Sequence, residues 1–103
     1  MRKNILSIVL FVILLVTPAV AFCKGGIIAF IDNDVIVVQT NQGFTCAEII
    51  GVTIAQKGDR IYGIQDTYGS QSWSVPRYDS DFTVFVDDFW LSADDAIAWL
   101  RNN

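Results

Sequence analysis

Residues 26–51, GIIAFIDNDVIVVQTNQGFTCAEIIG, constrain the fold of this chain more than any other stretch. Three runs of β-branched and aromatic residues are separated by two short polar breaks, Asp32-Asn33-Asp34 and Asn41-Gln42-Gly43. Short Asp and Asn side chains bond their own backbone in turns, and glycine takes the positive φ that tight turns need. Apolar runs of strand length around such breaks predict a three-stranded antiparallel meander over 27–31, 35–40 and 44–50.

Downstream the β pattern continues in shorter pieces. Residues 51–56 read either as a strand extension or as a bend at Gly51. Lys57-Gly58-Asp59 reads as a tight turn before a fourth strand over 60–64. Gly63 inside that strand marks a sharp corner or a close backbone approach. Residues 65–72 are polar and read as a loop. A short fifth strand follows over 73–75, stopped by Pro76, and a final strand over 82–86 alternates Phe82, Val84 and Val86 against Thr83 and Phe85. The end is helical. Ser92 with Asp94 and Asp95 resembles a capping box, and both acids sit where the helix dipole favours negative charge. Ala93, Ala96, Ile97 and Leu100 share one face, with Trp99 at its border, so 93–101 should form a short helix lying on the β part.

The first 21 residues differ in character. Arg2 and Lys3 precede an apolar run over 5–16, then come Pro18 and the small residues Ala19 and Ala21. This is the layout of a helical secretory signal peptide. Cleavage after Ala21 leaves one domain over 22–103 in the periplasm or outside the cell, with no membrane attachment once the leader is gone. Two rivals exist. The run could be retained as an anchor, although a spanning helix uses about 20 residues. Cys23 could be lipidated, against which the bulky Phe22 argues.

Removing the leader takes away two bases and no acid, leaving five bases against eleven acids and a net charge of −6. Such a surface repels phosphate backbones, so nucleic acid is excluded as a partner and a basic protein is favoured. The plain alternative is that the charge keeps a small apolar domain soluble. Two cysteines in an exported chain predict a disulfide, Cys23 to Cys46, whose loop would stabilise by about 3 kcal/mol. With no histidine and no third cysteine, a metal site is not expected.

Five or six short strands with glycines at the corners describe a small antiparallel barrel, closed or capped by the helix to hide its edges. The string QKGDRIYG over 56–63 resembles the Gly-Asp-x-hydrophobic-x-Gly turn-and-strand of OB-fold and SH3-like barrels. The resemblance covers eight residues and implies a five- to six-stranded barrel of that kind with one C-terminal helix; it implies no activity.

No set of residues specifies a reaction. Without histidine the usual general base near neutral pH is missing. Asp87 and Asp88 are adjacent and point to opposite faces of a strand. Asp79 and Asp81 could share a face, but such acids are more often solvated loop residues. Asp32-Asn33-Asp34 and Asp79-Ser80-Asp81 alternate oxygen ligands yet lack the glycine and terminal glutamate of a calcium loop, so both read as turns. From Tyr68 to Trp90 the chain carries Tyr68, Trp73, Tyr78, Phe82, Phe85, Phe89 and Trp90. Tyr68, Trp73 and Tyr78 sit among polar residues beside Arg77, and aromatic rings next to hydrogen-bonding groups suit recognition. The competing role for these rings is to close the barrel ends. The expectation is an exported, cofactor-free, non-enzymatic binding module of the periplasm or cell envelope that acts by protein contact through Tyr68, Trp73, Arg77 and Tyr78. Its alternatives are an inhibitor of a cationic enzyme such as lysozyme, or a small-ligand or carbohydrate-binding protein.

Overall fold

A computed structural model describes residues 24–103. The expected leader and Cys23 lie outside the described residues. Six strands and one helix follow in order: β1 (Lys24–Ile31), β2 (Val35–Thr40), β3 (Gly43–Ile50), β4 (Arg60–Ile64), β5 (Gly69–Val75), β6 (Ser80–Leu91) and α1 (Ala93–Arg101), with one turn of 3-10 helix at Pro76–Tyr78. The strands close into an all-antiparallel barrel in the order β1-β2-β3-β6-β5-β4. It consists of two three-stranded meanders. β3 meets β6 on one seam and β1 meets β4 on the other. Closure leaves no open sheet edge, the hazard that a flat sheet of this composition would carry.

The first meander forms where the apolar runs place it. Asp32 Oδ1 accepts the N–H groups of Asp34 (2.8 Å) and Val35 (2.9 Å), so the break between β1 and β2 is built by one carboxylate. In β3, Thr45 and Ala47 face inward, while Cys46 faces outward beneath α1. A bulge between Ile28 and Phe30 lets β1 point both Ile28 and Ile31 into the barrel.

The core is a single cluster that includes Ile28, Ile36, Val38, Ile61, Ile64, Trp73, Val75, Phe82, Val84 and Val86. A second, smaller cluster on the outside joins Val37 and Cys46 to Ala96, with Phe44, Trp99 and Leu100 packed against it. It fixes α1 to the barrel. Ser92 caps the helix, its Oγ accepting the Asp95 N–H at 3.2 Å. The buried face is centred on Ala96, Trp99 and Leu100; Ile97, expected on that face, is exposed.

Residues 51–56 bend at Gly51, which has φ +93, and form a connection that crosses the lower mouth of the barrel from β3 to β4. Two other expectations shift. β5 begins at Gly69 instead of 73 and takes in the second half of the expected loop. Ser70, Ser72 and Ser74 pair with β6 as outward residues, and Gln71, Trp73 and Val75 point inward. β6 runs on to Leu91, five residues past the expected end. Its register with β3 slips twice, between Phe44 and Cys46 and between Cys46 and Ala47, each time with an extra residue on β6.

Candidate functional site

The four residues expected to form one surface do not share one. Tyr68 precedes β5 and lies at the upper mouth, beside the start of β3 and the end of β6. Arg77 and Tyr78 follow β5 and lie at the lower mouth. Trp73 lies between them and is 0% exposed.

Trp73 is therefore no contact residue. Its ring meets Phe82 edge-on, with centroids 6.1 Å apart. Its Nε1–H donates to Gln71 Oε1 at 2.8 Å, and the same oxygen accepts the Gln65 N–H at 3.0 Å. Gln71 Nε2 donates to the carbonyls of Gln65 (2.8 Å) and Thr67 (2.9 Å). The amide is thus fully partnered, as burial requires, and it ties the indole to the 65–68 loop. This is barrel closure, the competing role for these rings.

Arg77 also has a structural task. Asp59 is 2% exposed at its side chain; its Oδ1 accepts Arg77 Nη1 at 3.0 Å, and its Oδ2 accepts the Gln56 N–H at 2.9 Å. The carboxylate therefore holds the 51–59 connection across the lower mouth, and Arg77 neutralises it. The Ile28 N–H donates to the Asp59 carbonyl at 2.9 Å, and the Gly58 N–H to the Ile28 carbonyl at 2.8 Å. The guanidinium, itself 70% exposed, stands 5.4 Å from the Tyr78 ring centroid, and Tyr78 packs against the core. Beside this plug an open pocket of about 350 Å³ has Ile31, Ile49 and Ala55 in its wall and Asp32, Asn33 and Thr53 among its polar lining.

At the upper mouth the aromatic rings face solvent. Tyr68 is 67% exposed and its ring lies 4.9 Å from Phe89; Phe89 lies 5.2 Å from Trp90, edge-on, and Trp90 is 57% exposed. Phe89 packs down against the core and anchors the group. Trp90 has φ +62, a left-handed backbone that costs a non-glycine residue about 1–2 kcal/mol. It falls in the upper of the two β6 bulges. Gly43, at φ +123, lies directly against it. A Cβ there would meet the Leu91 carbonyl oxygen at 2.8 Å and the Trp90 carbonyl carbon at 3.0 Å. Only glycine lets the chain pass that close, so Gly43 makes room for the Trp90 backbone. Phe89 and Trp90 were legible as aromatics but not as a rim, because the bulge depends on a pairing partner more than forty residues away.

Next to this rim runs a row of carboxylates. Asp87 and Asp88 immediately precede Phe89. Glu48 sits across the seam, and its carboxyl is held above the usual range, first by the hydrogen bond it shares with Asp87 and then by Asp87's charge. Cys46 pairs with Asp88 across the same seam. Burial beneath α1, then the charges of Asp88 and Asp87, push its thiol up to about 12, so it stays protonated and inert as a nucleophile. Cys46 has no disulfide partner among the described residues. The other end of the expected bridge, Cys23, lies outside them.

The alternating acids are turn residues in this fold. Asp32 caps its turn, and Asp79 takes φ +50 at the end of the 3-10 turn, where its N–H donates to the Pro76 carbonyl. Among the described residues no group of three His, Cys, Asp or Glu side chains is placed to hold a metal ion. Comparison with family models, curated proteins and solved structures finds no match to this chain.

Proposed function

We propose that this chain is an exported, non-enzymatic binding module of the bacterial periplasm or cell envelope, acting by protein contact through the upper rim. The observation that carries this reading is the group Tyr68, Phe89 and Trp90: two rings exposed on a third that is anchored in the core. Contact surfaces favour large, rigid, amphipathic side chains, because little conformational entropy is lost when they are covered. Backbone strain at Trp90, for which Gly43 makes room, supports the same assignment, since strain persists where a side chain is aimed for a purpose. The signal-like leader supports export. The 56–63 resemblance supports an OB- or SH3-like relationship in fold alone. The surface expected from sequence is replaced: Tyr68 is kept, and Phe89 and Trp90 take the place of Trp73, Arg77 and Tyr78.

Envelope extract passed over immobilised wild type and Trp90→Ala tests this. A partner retained by wild type and released by the variant is the expected result; identical sets from both would remove the rim from consideration. The exposed Tyr68 and Trp90 rings also fit a second reading, stacking on sugar, which predicts that added sugars quench tryptophan fluorescence in wild type and not in Trp90→Ala.

A further inference from the structure

We propose that the upper rim takes an arginine or lysine side chain from a cationic protein segment, seated against Tyr68 and Trp90 and facing the carboxylates of Asp87 and Glu48. This rests on the protein-contact reading above and adds the partner's chemistry. Three observations point the same way.

First, the rings present faces and edges at the right spacing. Tyr68 and Trp90 flank Phe89 at 4.9 and 5.2 Å, with interplanar angles of 48° and 88°. The three rings are tilted against one another, not stacked flat. An aromatic face carries negative quadrupole charge and attracts a cation within about 6 Å, tryptophan most strongly. Second, the charge beside the rim is one-sided. Asp87 and Asp88 lead into Phe89, Asp66 shares the loop of Tyr68, and Asp94 and Asp95 follow Leu91 within one turn; Lys24 opens β1 at the same end. Third, Asp87 lies beside Glu48 and holds its carboxyl above the usual range, first through a hydrogen bond and then through its charge, so negative groups gather at that point of the seam. Arg77, the base beside the lower mouth, is already committed to Asp59. An anionic or neutral lipid surface would gain from the rings but lose from the acids, since an anionic leaflet repels them.

The probes are hexa-arginine, hexa-lysine and hexa-glutamate peptides, titrated into the exported protein at low and at physiological salt and followed by tryptophan fluorescence and calorimetry. Binding of the two cationic peptides, with none of the anionic one, is expected. Trp90→Ala should weaken it about fivefold, in line with one cation–π contact, and Glu48→Gln/Asp87→Asn by at least as much. Equal affinity in wild type and Trp90→Ala would show attraction to net charge alone and overturn the proposal. So would Trp90-dependent binding to phosphatidylcholine or phosphatidylglycerol vesicles in place of peptide. If the oligocations fail while an envelope partner is still lost in Trp90→Ala, the cationic partner falls and the contact reading stands. If both fail, both fall. Circular dichroism of each variant, matching wild type, ensures that lost binding reports the rim and not the fold.

Discussion

The two mouths of the barrel are closed by different means. The lower one is plugged by chain: the 51–59 connection lies across it, a buried carboxylate fastens it, and a guanidinium from the far end of β5 satisfies that carboxylate. The upper one is sealed lower down, by Trp73 and the amide of Gln71, which leaves the rings above free to face water. At the lower mouth the polar and aromatic groups are consumed in holding the fold. At the upper mouth the same residue types are surplus to it. A charged or aromatic residue at a barrel end is thus no guide to function until its partners are known, and the difference between the mouths lies in hydrogen bonds, not composition.

Four substitutions would break or sharpen that contrast. Trp73→Ala removes the inner seal, empties the centre of the core and takes one of two donors from Gln71 Oε1; a loss of about 4 kcal/mol is expected from denaturant midpoints. A loss under 1 kcal/mol would mean that the indole is not the seal. Arg77→Ala leaves the Asp59 carboxylate buried without its cation. About 2 kcal/mol should go, with partial recovery in Arg77→Lys; no change would mean that the lower mouth is not fastened as described. Trp90→Ala should alter stability by about 0.5 kcal/mol or less, because the ring it removes is exposed and the backbone strain is partly relieved. A large loss there would make the upper rim structural and erase the contrast. The smallest effect concerns Asp87→Asn. A carboxyl whose pKa is higher in the folded state adds stability below its unfolded value, here 4.5, and gives it up as pH rises through the folded value. Wild type should therefore gain on Asp87→Asn as pH falls from 7 to 4, and denaturation midpoints of both proteins at the two pH values would show it.

Much of the scaffold was legible because its signals are local. The meander followed from three apolar runs and an aspartate turn, and α1 from Ser92 and the acids behind it. The site was not legible, for reasons that are physical. In SQSWSV over 70–75 the serines alternate strictly, which is a strand signal, but their polarity masked it, and Gln71 can be buried because residues 65–67 and the Trp73 indole supply its partners. Asp59 looked like an ordinary turn residue; its burial depends on Arg77, eighteen positions away. Trp90 owes its outward aim to a bulge opposite Gly43, on a strand from the other meander. Long-range pairing decided each of these, and single-sequence patterns do not record it.

The two seams also bear on when the barrel can close. Gly26 pairs with Ile61 and Ile50 with Thr83, partners about 35 residues apart, so neither seam can join while only the first meander has been synthesised. A topology of such high contact order folds slowly. Until β6 is complete the first meander keeps two unpaired edges, the state most open to mispairing with another chain.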